Sequence, residues 1–268
     1  MKNIIETPFG KTVLNVFGDG PPILVVHGGP GFFHNYLVDG LLPLAEKRSL
    51  IFYDQPTFEN TPLPKKEFSP QTIFAHFRWL ANELSQTDPL GIIAHSWGGL
   101  VVIAGLTEPS LQTKPLPNLS RVLLLNTMPL TSKELIQSRK NLMDRLSWLS
   151  KIKLVLLICT FASGQKIMKQ LLPYYVYDQS CIPKDEFKFS KKTYLKILQQ
   201  LKSYDFEKDL GALPELDLLL SEKDFITSSH LQSLIEIAEN QFTIKKSVHF
   251  PMWENPKDFD DFIKSVFT

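Results

Sequence analysis

IIAHSWGGLVVIAGL, residues 92–106, decides the fold. A short β-branched run reaches His95 and Ser96, two glycines follow at once, and the remainder is small and apolar enough for a buried helix. A strand that passes into a helix through a serine with small neighbours is the strained turn that holds a hydrolytic serine clear of the backbone. Gly98 fills the second small position of the G-x-S-x-G pattern, and Ala94 stands where the first glycine would be. The same turn aims the Trp97 N–H at the place where an oxyanion forms when Ser96 attacks a carbonyl.

Outward from this turn, short β-branched runs alternate with longer amphipathic stretches. Residues 23–27, 49–54, 121–126 and 216–220 read as further strands, with a weaker one at 241–245. Helical spacing marks 36–47, 70–85 (Ile73, Phe77, Leu80, Leu84) and the stretch from Pro256. That alternation predicts a mostly parallel sheet with crossover helices on both faces. Between Asn126 and Leu216 it gives way to helix-like segments punctuated by Gly164, Pro173 and Pro183. This stretch is too long for one crossover and too apolar for a disordered linker. The expectation is an α/β core of residues 1–127 and 209–268 built on that sheet, with an inserted helical cap of residues 128–208.

Acyl transfer to a serine needs a second oxyanion donor, a base, and an acid that fixes the base's tautomer. HGGPG at residues 27–31 follows the first predicted strand, and its consecutive glycines expose backbone N–H groups, with Gly29 the candidate donor. Of six histidines, His27 and His95 sit on strand ends, and His34, His76 and His230 have no evident partner. His249, in the loop between the last strand and the terminal helix, is the candidate base. Asp224 lies just past the end of the 216–220 strand, on the edge where open α/β sheets gather ligands, and is the candidate acid; Asp217 and Glu222 are the alternatives. The chain order Ser96, Asp224, His249 is that of the α/β-hydrolases.

Taken in order, HGGPGFFHNYL, FYDQ at residues 52–55, AHSWGG, LLLSEKD and VHFPMWENP make the chain resemble the proline iminopeptidase branch of the α/β-hydrolases, peptidases and esterases alike. That resemblance implies an amide or ester hydrolase working without metal or organic cofactor, under a helical cap that selects substrate. After Asp54 and Gln55 the chain departs from the branch, with Pro56 to Glu59 in place of an arginine and a glycine-rich turn.

Formal net charge is +1, so the whole chain gives no reason to expect a nucleic acid as partner. Residues 131–208 hold 15 Lys+Arg against 7 Asp+Glu, a net of +8, and leave −7 for the rest. A basic cap opposes the ammonium of a peptide N-terminus unless Glu186, Glu207 or Glu215 forms a local acidic pocket. The apolar run LVLLICTFA and the aromatic run at residues 174–177, with Tyr174 and Tyr175, either pack the core of the cap or suit an acyl or aromatic group, and the cap lysines either solvate its outer faces or favour an anionic head group or a lipid surface. The expected partner is therefore a small-molecule substrate: a short peptide or amide, or else an ester or thioester with an apolar acyl group. A non-catalytic binding protein on the same fold is the reading of another class, and the joint presence of Ser96, Asp224 and His249 argues against it. Two cysteines, no signal-like apolar stretch at the start and no run of spanning length fit a cytoplasmic protein. Nothing in the residues points to an oligomeric state.

Overall fold

A computed structural model describes residues 1–111, 117–160, 162–183 and 188–267. Eight strands form one sheet: β1 (Lys2–Thr7), β2 (Gly10–Phe17), β3 (Pro22–Val26), β4 (Ser49–Tyr53), β5 (Leu90–His95), β6 (Leu119–Leu125), β7 (Leu216–Ser221) and β8 (Asn240–Ile244). Their order across the sheet is β1-β2-β4-β3-β5-β6-β7-β8, antiparallel through the first two and parallel from β4 onward.

The six strands expected from the sequence are all present. The hairpin β1–β2 is an addition to them, joined where the Thr7 hydroxyl donates to Gly10 O at 2.7 Å. Its residues are mixed in polarity because it forms the sheet's open margin: β1 is mostly exposed and only Thr12 and Leu14 of β2 are buried. A half-solvated antiparallel pair does not give the continuous apolar runs of a buried parallel strand.

The central strands are buried on both faces, and their side chains alternate between two helical layers. Leu24, Ile92, Leu124 and Leu218 pack with α2 (Pro70–Leu84) and α3 (Trp97–Thr107). Ile23, Ile93, Leu123 and Leu219 pack with α1 (Asn35–Leu41) and α10 (Pro256–Phe267) on the other side. The helical expectation over 36–47 is met in part: α1 ends at Leu41 and a 3-10 turn, Leu42–Glu46, carries Pro43 near its start.

Between β6 and β7 come α4 (Ser132–Asp144), α5 (Trp148–Cys159), α6 (Gly164–Leu171) and α7 (Lys191–Gln200). Each follows a serine or threonine whose hydroxyl accepts a first-turn N–H: Thr131, Ser147, Ser163 and Ser190. Two short helices, α8 (Gln232–Ile237) and α9 (Pro251–Glu254), flank β8. Among the described residues no helix is long and apolar enough to cross a membrane.

Candidate active site

Ser96 sits between β5 and α3 with φ 55° and ψ −118°, a left-handed conformation that a residue with a Cβ rarely adopts. The surroundings hold it there. Its N–H donates to Leu125 O at 2.9 Å, and its carbonyl accepts Gly99 N at 3.0 Å and Met128 N at 2.9 Å. The two glycines are required by close approach, since a Cβ on Gly98 would meet Val26 O at 2.3 Å and one on Gly99 would meet the Thr127 hydroxyl at 1.9 Å. Ala94 lies two residues earlier on the fully buried β5, paired to Val26 and Leu124, where its methyl is accommodated.

The structure brings Ser96, His249 and Asp224 into one line. His249 Nε2 is 2.9 Å from Ser96 Oγ, and His249 Nδ1 is 2.9 Å from Asp224 Oδ2 and 3.2 Å from Oδ1. Asp224 Oδ1 also accepts Ile226 N at 3.2 Å, and the whole Asp224 side chain is out of solvent. A buried carboxylate on Nδ1 makes that nitrogen a donor and leaves Nε2 free to accept a proton from the serine. The two alternative acids are engaged elsewhere. Asp217, near the opposite end of β7, is ion-paired with Arg121 and accepts Asn240 Nδ2 at 2.8 Å, while Glu222 accepts Lys246 N at 3.1 Å.

Around this line lies a set of polar groups, buried except for the half-buried Glu254, to which the sequence reading gave no part in the site. The Gly28 N–H donates to the Tyr36 hydroxyl at 2.7 Å, that hydroxyl meets His95 Nδ1 at 2.7 Å, and His95 Nε2 reaches the His249 carbonyl at 2.8 Å. With Tyr36 donating onward, His95 is the Nε2–H tautomer and donates to that carbonyl. Burial and the neighbouring His249 hold His95 well below the usual histidine range, so it stays neutral. The chain of bonds fixes the base's backbone to the glycine loop. Gln55 does the same for the nucleophile's side: its N–H donates to His27 Nε2 at 3.0 Å, its amide donates to His27 O at 2.7 Å, and its Oε1 accepts Trp97 Nε1 at 2.9 Å. Burial lowers His27 to about 4, consistent with an uncharged acceptor there. The third is Glu254, whose carboxylate accepts the N–H groups of Val248, at 3.0 Å, and Phe250, also at 3.0 Å, on either side of His249. A polar residue immediately after a buried strand was the available signal for Gln55; no spacing rule identifies Tyr36 or Glu254.

Gly29 has φ 147° and lies against the Trp97 ring, with its peptide to Pro30 cis. The Trp97 N–H is the first of its helix, one of the donors that have no acceptor within the helix. Gly29 and Ser96 both border a cavity of about 210 Å³. The rest of its wall comes largely from the helical segment: Leu135, Leu142 and Met143 of α4, Leu154 and Ile158 of α5, and Ile167, Met168 and Leu171 of α6. Among the described residues its wall carries two cations, Arg139 and Lys191, and no carboxylate.

Tyr175 lines the cavity, its ring centre is 5.4 Å from that of His249, and its carbonyl accepts the His249 N–H at 3.0 Å. Tyr174 turns away, its hydroxyl donating to Ser150 Oγ at 2.9 Å. Glu207 is not gathered into the site: it is exposed and accepts the Ser233 hydroxyl at 2.7 Å. Glu186 lies outside the described residues. The loop at Pro56 to Glu59 docks on the start of α7, where the Glu59 carboxylate accepts both Ser190 Oγ, at 3.0 Å, and Thr193 Oγ1, at 3.1 Å.

Residues 23–262 match the Alpha/beta hydrolase family. A proline iminopeptidase of Lactobacillus delbrueckii subsp. lactis is 32% identical over 113 residues, which take in 38% of this chain and 37% of the relative. The chain thus aligns with little more than a third of that relative's length. An alpha/beta fold family hydrolase from Bacillus anthracis superposes with a TM-score of 0.76 at 16% identity, covering 100% of this chain and 99% of that one. An esterase from Exiguobacterium antarcticum does so with a TM-score of 0.73 at 15% identity and 99% of each chain.

Proposed function

The chain belongs to the alpha/beta hydrolase family, and from that premise we propose that it is a serine hydrolase of carboxylic esters or thioesters with an apolar acyl group. Residues 1–127 and 209–268 form the hydrolase core in this reading, and residues 128–208 form a cap. His249 Nε2 takes the Ser96 proton as Oγ attacks the substrate carbonyl, and the imidazolium that forms is held by Asp224. The N–H groups of Gly29 and Trp97 receive the oxyanion. Collapse expels the alcohol or thiol, which leaves with the proton from His249, and an ester on Ser96 remains. Water, deprotonated by the same nitrogen, then releases the acid.

The observation that carries the reading is the opening of the Ser96–His249–Asp224 line onto a wall of aliphatic side chains with cations and no carboxylate among the described residues. Such a wall desolvates an acyl chain at a gain of about 0.8 kcal/mol per methylene. Among the described residues it offers no carboxylate to the ammonium of a peptide, and burying that charge without an opposite one is costly. The second reading, release of an N-terminal residue from a small peptide or amide, is favoured by the 32% identity to a proline iminopeptidase.

Hydrolysis of acyl esters of rising chain length, measured beside a proline amide with a free amine and with Ser96→Ala as control, tests the choice. We expect kcat/KM to climb about fourfold per methylene until the cavity is filled, with the amide untouched and Ser96→Ala inert. Preference for the prolyl amide would replace the ester reading with the aminopeptidase one.

A further inference from the structure

Helix α5 wears its apolar face outward. Leu154 is its one fully buried residue and, with Ile158, faces the cavity. On the opposite side Trp148, Leu149, Ile152, Val155 and Leu156 are exposed, from 48% for Ile152 to 69% for Trp148. At about 100° per residue these five fall within roughly a third of the helix circumference. Lys151 and Lys153 border that sector on either side, both exposed. An ordinary surface helix turns its apolar stripe to the core and its charges to water; α5 has one apolar edge toward the cavity and a larger one toward solvent.

Two further observations narrow the occupant. Helix α6, packed beside α5, exposes Lys166 and Lys169, and the whole of residues 131–208 carries a net of +8. Ile158 and Leu195 both line the cavity and are exposed, so part of its rim lies along the α5–α7 edge. A two-fold contact of two copies through α5 would gather the flanking lysines of both into one seam, and like charges brought together oppose it.

We propose that α5 docks this protein on an anionic lipid bilayer. Its aromatic and aliphatic side chains enter the boundary between headgroups and acyl chains, and the flanking lysines reach lipid phosphates. This is the physics of an interfacial amphipathic helix: buried apolar area plus attraction to anionic lipid. Docked in this way, the helix holds the cavity beside the bilayer, with Ile158 on the flank of α5 at its rim, and an acyl lipid leaving the membrane has a short path to Ser96. That last consequence rests on the ester-hydrolase reading above; the docking does not.

Flotation of the full chain with vesicles tests it, using phosphatidylcholine alone and an equimolar mixture of phosphatidylcholine and phosphatidylglycerol. The protein is expected to float with the mixed vesicles, far less with phosphatidylcholine alone, and less as salt is raised. Lys151→Gln with Lys153→Gln should weaken the partitioning by roughly fivefold per lysine. Ile152→Glu with Val155→Glu should weaken it by about tenfold or more. These four residues lie outside the cavity wall, so both variants should hydrolyse a short soluble ester like the parent protein. A parent protein that does not float, or a glutamate variant that floats equally well, overturns the proposal. So does light scattering that shows a dimer dissolved by the same glutamates, which would make α5 a self-association face. Ser96→Ala should float unchanged and hydrolyse nothing; a parent protein that floats yet turns over no ester would remove the hydrolase reading and leave the docking in place.

Discussion

The sheet and the helical segment between β6 and β7 differ in charge, in histidine content and in the kind of side chain each brings toward Ser96. The sheet side carries all six histidines and a net of −7; residues 131–208 carry no histidine and a net of +8. Around Ser96 the sheet supplies buried polar groups bonded to one another at 2.7–3.0 Å: Tyr36, His95, Gln55, His27 and His249. The helical segment supplies aliphatic side chains whose contacts are non-directional. Bond-making chemistry requires groups fixed in place, and selection by an acyl chain requires only shape and the absence of water. The proposed ester hydrolysis assigns the two demands to two kinds of sequence.

The comparison is tested hardest at its polar pole. Asp224→Asn keeps size and shape but replaces an acceptor with a group that can present N–H to His249 Nδ1, favouring the wrong tautomer. A loss of roughly 10⁴-fold in kcat is expected, with KM for the preferred ester little changed and the unfolding temperature within a few degrees of the parent. A loss under tenfold would mean that the line from Ser96 to Asp224 does not carry the chemistry.

Acid should find the same pole. Burial lowers His27 to about 4 and His76 to about 3, and holds His95 well below its usual range, so all three fold as neutral rings. A histidine whose folded pKa is depressed lends stability above its unfolded value near 6.5, and that stability drains away as pH falls toward the folded value, because the unfolded chain then takes up protons that the native one refuses. For His27 alone this amounts to about 3 kcal/mol by pH 4. Calorimetric unfolding between pH 7 and pH 4 should show a steep fall. A flat profile over that range would say that these rings are not held neutral.

Legibility in the sequence follows the same division. The parallel strands were readable because burial on both faces forces continuous β-branched runs, and the Ser96 turn because only glycine fits where Gly98 meets Val26 O. The geometry also gathers Ser96, Asp224 and His249, named beforehand from strand ends and chain order. The hairpin β1–β2 was hidden by its half-solvated residues. Tyr36 and Gln55 were hidden because their partners lie 59 and 42 positions away, at His95 and Trp97, and no local pattern encodes a contact across that distance; Glu254 has its partners close by, at Val248 and Phe250, but a carboxylate that accepts loop N–H groups has no fixed sequence spacing. In the helical segment the helix-like stretches punctuated by Gly164, Pro173 and Pro183 announced helices, but not which faces meet. Tyr174 and Tyr175 are adjacent and equivalent on paper; one bonds to Ser150 and the other packs on His249.

The smallest effect asks whether the division is complete. Met143 lines the cavity from α4 and is only partly buried, so a larger side chain there can take up cavity space without the overpacking penalty of a tight core. Met143→Trp should lower kcat/KM for long-chain esters by about 10-fold, a hydrophobic-pocket effect of 1–3 kcal/mol, and leave the shortest ester alone. If kcat for the shortest ester falls as well, the helical segment is positioning the base in addition to shaping the pocket. The contact through which it would do so is already visible, the Tyr175 carbonyl that accepts the His249 N–H at 3.0 Å. Movement of α4 carried to that carbonyl would tilt the imidazole away from Ser96, and the loss would then appear in kcat at every chain length.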